Sequence, residues 1–370
     1  MQKLVSRLFK RLMKSWSWVL LVLLCILIKW VSLYPAWVEK YYTYGFYPVV
    51  GGIQRFLFGW IPFSIGDLFY AFLVLVLIYR IFLFGRLAFR KQLNRRYFIK
   101  ALQQGIFFFL FIYVSFNLFW GLNYNRQGIS AQLGVKVKKY SLADLDTLTG
   151  VLQQRLNTYA VQASPARRDS VRKKKDLFRE SSILYNEVAL RYPFLAYQPR
   201  SVKPSIFSYL GNYLGFQGYY NPFSGEAQVN TTIPRFLEPF VTLHEIAHQL
   251  GYGKENEANF VAFLAGKESR LPVFRYSMYF DMYNYAINEV ARRDTALARQ
   301  YQQQLDSTVI KDIVEYREFY RKHRNPVENF ISWGYGNFLK ANNQPGGRET
   351  YNEVVAWLIA YYKRFGIEAL

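Results

Sequence analysis

Two of the three histidines in this 370-residue chain stand four positions apart, in His244-Glu245-Ile246-Ala247-His248. On a helix that spacing puts both imidazoles on one face, one turn apart, where they can bind a single Zn²⁺ ion per chain. Glu245 sits beside them, placed to polarise a water at the metal. The competing explanation is chance, since this pattern occurs in ordinary helices. Spending two of three histidines on one spacing weighs against it. So do Val241, Leu243, Ile246, Ala247 and Leu250, which give the helix an apolar body able to bury and hold the rings. Gly251 then ends the helix.

A catalytic zinc usually has three protein ligands and one position open to water, so a third donor is expected nearby. The candidates are Glu255 and Glu257, at the start of the helical stretch Glu255-Asn256-Glu257-Ala258-Asn259-Phe260-Val261-Ala262. Glu255 is preferred, because Asn259 shares its face and is placed to hold a ligating histidine from behind. Glu257 is the alternative: it lies on a stripe with Phe260, Val261 and Leu264, and a carboxylate turned inward needs a partner such as a metal. Helical phase alone does not decide between them. For whichever Glu is not a ligand, an acidic helix start that favours the macrodipole is explanation enough. A donor to a developing oxyanion is also expected. Tyr335, His323, Tyr219 and Tyr220 are candidates, but the chain has 31 tyrosines and none is assigned.

The elements that must position these residues are expected in an outer domain over 124–370, long enough for its own core. Ser141-Leu142-Ala143-Asp144 has the form of a capping box opening a helix to about Tyr159, and a highly charged helix is expected over Ala166 to Arg191. Between Pro204 and Pro234, Gly211, Gly215, Gly218 and Gly225 punctuate short runs, as in β-hairpins. Within them Glu226, Gln228, Asn230 and Thr232 alternate with Ala227, Val229, Thr231 and Ile233. That period of two suits an edge strand to which an extended peptide could add. Further helices are expected over Pro272 to Arg293, Thr295 to Lys322, Pro326 to Ala341 and Glu349 to Phe365. The fold class is therefore mainly α (α+β), a mostly helical domain with a small β-sheet or hairpin.

The first 123 residues read as a membrane domain with three transmembrane helices, about 16–34, 65–84 and 106–122, each long enough to cross a hydrocarbon core. A removable signal peptide is the competing reading of the first run, but no small-residue cleavage site follows Tyr34-Pro35-Ala36-Trp37. Lys3, Arg7, Lys10, Arg11 and Lys14 precede the first run, and Arg86, Arg90, Lys91, Arg95, Arg96 and Lys100 separate the second from the third. By the positive-inside rule the N-terminus is cytoplasmic and the large domain lies outside the cytoplasm. The net charge of +22 is spread over these flanks and the helices, with no nucleic-acid-binding motif, so the expected partner is the lipid bilayer and not nucleic acid. The single cysteine, Cys25, excludes a disulfide framework.

The stretch HEIAHQLGYGKENEANFVAFLA resembles the zinc-binding core of the gluzincin metallopeptidases, in which a helix carrying a Glu ligand follows HExxH. That resemblance implies a zincin-like domain, His244, His248 and Glu255 as ligands and Glu245 as general base. The three apolar runs, the segment GYYNPFSGEAQVN and the EANF after the motif resemble a bacterial membrane family known as domain of unknown function 3810. The expected activity is thus that of a membrane-anchored zinc metallopeptidase of the bacterial inner membrane, with its domain on the periplasmic side. It would hydrolyse peptide or protein substrates through a zinc-bound water activated by Glu245. Two other readings stay open: a zinc-binding sensor or scaffold without catalysis, and a hydrolase of cell-wall peptide or amide bonds.

Overall fold

The computed structural model describes residues 15–163, 171, 173–347 and 353–370. The basic residues of the extreme N-terminus lie outside the described residues, as do 166–170 and 172 of one expected helix and 349–352 of another.

The chain opens with α1 (Ser15–Val31), a π-helical turn over Val38–Phe46, α2 (Tyr47–Phe58), α3 (Ile65–Phe89) and α4 (Arg95–Phe119). The helices α3 and α4 are each long and apolar enough to cross a membrane. The third expected span is less regular. The 17 residues of α1 meet that test only together with Pro35–Phe58, from which they are bent by 102°. Pro35 explains the break, because its ring cannot continue the helix of the preceding turn. The expected boundaries also shift: Asn94 accepts from the amide of Tyr97 at 2.9 Å and starts α4 within the basic segment, 11 residues earlier than apolarity alone suggests.

The remainder is mostly helical. The capping box at Ser141 and Asp144 opens α5 (Leu142–Gln162), followed by α6 (Lys174–Ala189). A short β1 (Val202–Pro204), α7 (Ser208–Leu214), β2 (Gly218–Asn221) and β3 (Glu226–Val229) lead into α8 (Glu238–Gln249). The chain then forms α9 (Glu255–Gly266), α10 (Pro272–Arg293), α11 (Thr295–Gln303), α12 (Ser307–His323), α13 (Pro326–Ala341) and α14 (Val354–Phe365). One long helix was expected where α11 and α12 stand. Asp306 breaks it by accepting from the amide of Thr308 at 2.8 Å, which caps a new helix.

The sheet corrects a second expectation. Its order is β1-β3-β2, with β3 parallel to β1 and antiparallel to β2, so the alternating segment is the central strand and not an edge. Its polar face is buried. Glu226 accepts from the amides of Ile65 and Gly66, at 3.2 and 2.7 Å, and Gln228 donates to Ser64 at 2.8 Å. A polar face in a strand thus need not meet water when it caps the N-terminus of a helix, here α3.

The core places α8 at the centre. All twelve residues of α8 and all twelve of α9 are buried. Leu145, Leu148, Leu152 and Leu156 form one fully buried stripe of α5, which packs on α10. The helix α10 in turn packs on α8 and α9.

Candidate metal centre

His244 and His248 sit on the same face of α8, and their Nε2 atoms are 3.0 Å apart. Glu255, at the first turn of α9, brings Oε2 to 3.2 Å from His244 Nε2 and 3.5 Å from His248 Nε2. Gly251, at φ +84°, makes the tight turn that brings the two helices together; its Cα faces Asn123 so closely that a Cβ would stand 3.0 Å from the amide oxygen. Among the described residues this is the one group of His, Cys, Asp or Glu able to hold a metal ion.

The triangle's size tests the fit. Two ligands about 2.1 Å from one ion, at a tetrahedral angle, stand roughly 3.4 Å apart. The three edges of 3.0, 3.2 and 3.5 Å bracket that value. The ring's orientation agrees: His248 Nδ1 donates to the carbonyl of Tyr252 at 2.7 Å, since a carbonyl can only accept, and Nε2 is the nitrogen left to face the triangle, where a metal would take the place of its proton. The donor set of two imidazoles and one carboxylate suits zinc.

Glu257 is elsewhere. It is buried beside Lys254, at 3.6 Å, and near Arg126, and burial pushes its carboxyl up while those two cations draw it down. Asn259 lies beside His244 and also reaches the hydroxyl of Tyr285 at 3.4 Å. Tyr335, from α13, donates to Glu255 Oε1 at 2.5 Å. The other oxyanion candidates are engaged away from the triangle. Tyr219 bonds Asp67 and Ser205, and Tyr220 lies against Tyr47 and Trp120. His323 packs on Tyr213, Tyr209 and Phe319.

Glu245 is 4% exposed, and its Oε2 has no hydrogen-bond partner. Burial pushes its carboxyl up to about 8, against the opposing pull of His248. Burial likewise lowers His244, partly offset by Glu255. For His248 burial acts the same way, but Glu255, Glu245 and the Tyr252 carbonyl outweigh it and raise the ring to about 9. Burial opposes ionisation of Glu255 too, yet the two imidazoles hold it well below the usual carboxylate range. Without a metal the group thus sets a His248 imidazolium against the Glu255 carboxylate, and a cation at its centre would take the place of the imidazolium proton.

Residues without any motif hold this cluster. Gly218 on β2 leaves room for Glu245: a Cβ there would stand 2.5 Å from Oε1. The end of α8 is held from the N-terminal segment. Trp120 Nε1 donates to the carbonyl of His248 at 2.9 Å, Tyr47 and Arg55 donate to that of Gln249, and Arg126 donates to that of Gly251. Arg126 is itself locked to Glu39 of the π-helical turn at 2.7 Å, with both side chains buried.

A family model described as "Protein of unknown function (DUF3810)" matches residues 42–359. The chain belongs to this family. The DUF3810 match takes in α3, α4, the sheet and every residue of the triangle. No curated protein and no solved structure matches the chain.

Proposed function

We propose that this protein is a zinc-dependent peptidase anchored in the bacterial inner membrane, with its site on the extracytoplasmic side. The observation that carries the proposal is the His244–His248–Glu255 triangle with the unpartnered Oε2 of Glu245 beside it. The gluzincin-like spacing supports the same ligand set, with Asn259 backing His244. Orientation is supported by Arg86, Arg90, Lys91, Arg95 and Arg96 around the turn between α3 and α4.

The three ligands would hold one zinc ion, which supplies a Lewis acid able to lower the pKa of water and polarise a scissile carbonyl. Glu245 Oε2 takes the proton of the attacking water and hands it to the leaving amine nitrogen. The Glu245 carboxyl, which burial alone holds up at about 8, would be drawn down beside a bound dication and so be ionised and ready to accept at neutral pH. Tyr335 turns its hydroxyl toward the ligand carboxylate and fixes Glu255's second oxygen.

The test is zinc content of the full chain in detergent for wild type, His244→Ala and Glu245→Gln, together with hydrolysis of a quenched peptide library. One zinc per chain, lost in His244→Ala but retained without turnover in Glu245→Gln, is the expected result. Zinc without turnover in wild type would favour a sensor, and no zinc would overturn the site.

A further inference from the structure

An apolar surface accompanies the triangle. The helix α13 packs on the rest of the protein chiefly through α7, and it turns Val327, Phe330 and Trp333 outward, with Phe330 69% and Trp333 67% exposed. Of its two charged residues, Glu328 is half-buried against Gly215, and Lys340, at the last turn, is exposed with its stem running past Gly347. Tyr209 and Leu210 on α7 extend the surface, at 66% and 51% exposed. Contiguous apolar surface of this kind marks an interaction site, not incidental exposure.

Its occupant follows from where the surface sits. The helices α3 and α4 run back along each other, with Arg80 bonded to Gln104 at 2.7 Å and the rings of Phe84 and Tyr97 6.4 Å apart. The start of α3 and the end of α4 therefore lie at one level. The surface is fastened there at two points. Ile206, just before α7, donates its amide to Asp67 in the first turn of α3 at 2.7 Å. Phe338 of α13 packs on Phe116 in the last turn of α4, with ring centres 6.1 Å apart. Trp60, in the loop that leads into α3, is 78% exposed, and beside it the carbonyl of Gly59 accepts from Lys203 of β1 at 2.8 Å. Aromatic side chains at the level where apolar helices leave a bilayer suit the headgroup region, and a helix with one uncharged aromatic face suits lying in that plane.

We propose that α13 and α7 form an interfacial anchor, seated in the headgroup region of the bilayer that α3 and α4 cross, and that this seat carries Tyr335 onto Glu255. The inference rests on the membrane reading above and is independent of whether the site hydrolyses anything. It makes the bilayer surface a wall of the site, so that a substrate reaches the triangle along the membrane.

The test uses the full chain in vesicles of phosphatidylcholine and phosphatidylglycerol, in a Cys25→Ser background that removes the only native thiol. Spin labels are placed at Phe330→Cys, at Leu77→Cys on the outer face of α3 as the lipid reference, and at Leu190→Cys, 89% exposed, as the water reference. Collision with oxygen and with a water-soluble nickel chelate is measured for each. The expected result is that the label at 330 meets oxygen several-fold more readily relative to nickel than the label at 190. A label at 330 that matches 190 overturns the anchor, as does dipolar broadening at 330 from a second copy of the chain. A water-like label at 77 overturns the membrane reading itself, which keeps the two failures distinct.

Discussion

The indole nitrogen of Trp120, just past the last turn of α4, donates to the main-chain carbonyl of His248 at 2.9 Å. That carbonyl lies in the last turn of α8 and also accepts from the amide of Gly251 at 3.0 Å. The helix bearing both histidines thus ends on a side chain from the apolar N-terminal segment. Trp120→Phe keeps the ring and removes the donor. A buried hydrogen bond lost in this way costs about 1 kcal/mol, and the carbonyl keeps its bond from Gly251. We expect a thermal midpoint lower by roughly 2–4 °C and zinc held a few-fold more weakly. Thermal unfolding and competition against a chromogenic chelator would show both, and an unchanged zinc affinity would confine Trp120 to packing.

Glu255 and Glu257 are two residues apart on one helix, yet only Glu255 reaches the histidines. Glu255→Gln should weaken zinc binding by at least about 100-fold, because a neutral amide replaces the only anionic donor. Glu257→Gln should leave zinc content at wild-type level. Metal analysis after dialysis against a weak chelator separates the two, and equal loss in both variants would contradict the assigned geometry.

Gly218→Ala is expected to cost activity without costing metal. The added methyl would stand 2.5 Å from Glu245 Oε1 and 2.9 Å from the carbonyl oxygen of Gln228, and real Cβ atoms do not approach so closely. Either β2 or the Glu245 carboxylate must shift, and a misplaced base costs on the order of 100-fold in turnover. Zinc content measured beside kcat reads the two effects apart. Full turnover in the alanine variant would mean that Glu245 has slack the structure does not show.

The pairing of His244 and His248 on one face was legible because an i, i+4 spacing of histidines is a local property of a helix. The choice of Glu255 was legible only in part, since helical phase cannot say which face of α9 meets α8. What hid the rest was distance along the chain. Trp120, Tyr47 and Arg126 satisfy carbonyls more than a hundred residues away, and no periodicity encodes that. The alternation at Glu226 and Gln228 suits an edge strand by its period alone. In the fold those polar side chains face the start of α3, so the pattern records a helix cap and not solvent. The break between α11 and α12 had a signal, Asp306 before Ser307 and Thr308, masked by the helical periodicity on both sides.

Asp281 shows how a buried group beyond the triangle should govern stability against pH. It lies on α10 near Tyr285, Tyr316 and Tyr320, and its Oδ2 has no hydrogen-bond partner. Burial pushes its carboxyl from the ordinary 3.8 up to about 8. The sign follows: between those values the unfolded chain is ionised while the folded one still holds its proton, so folding takes up a proton and weakens as pH rises. Below the lower value both states are protonated and the effect vanishes; above about 8 both are ionised and the penalty levels off. The residue keeps partial exposure, so the full shift is not realised, and a penalty of about 1–2 kcal/mol at the plateau is expected. Asp281→Asn removes it. The variant should match wild type in unfolding midpoint near pH 4, exceed it by a few degrees at pH 8, and change smoothly between. A constant offset across that range would mean that Asp281 is ionised in the folded protein and has found a cation.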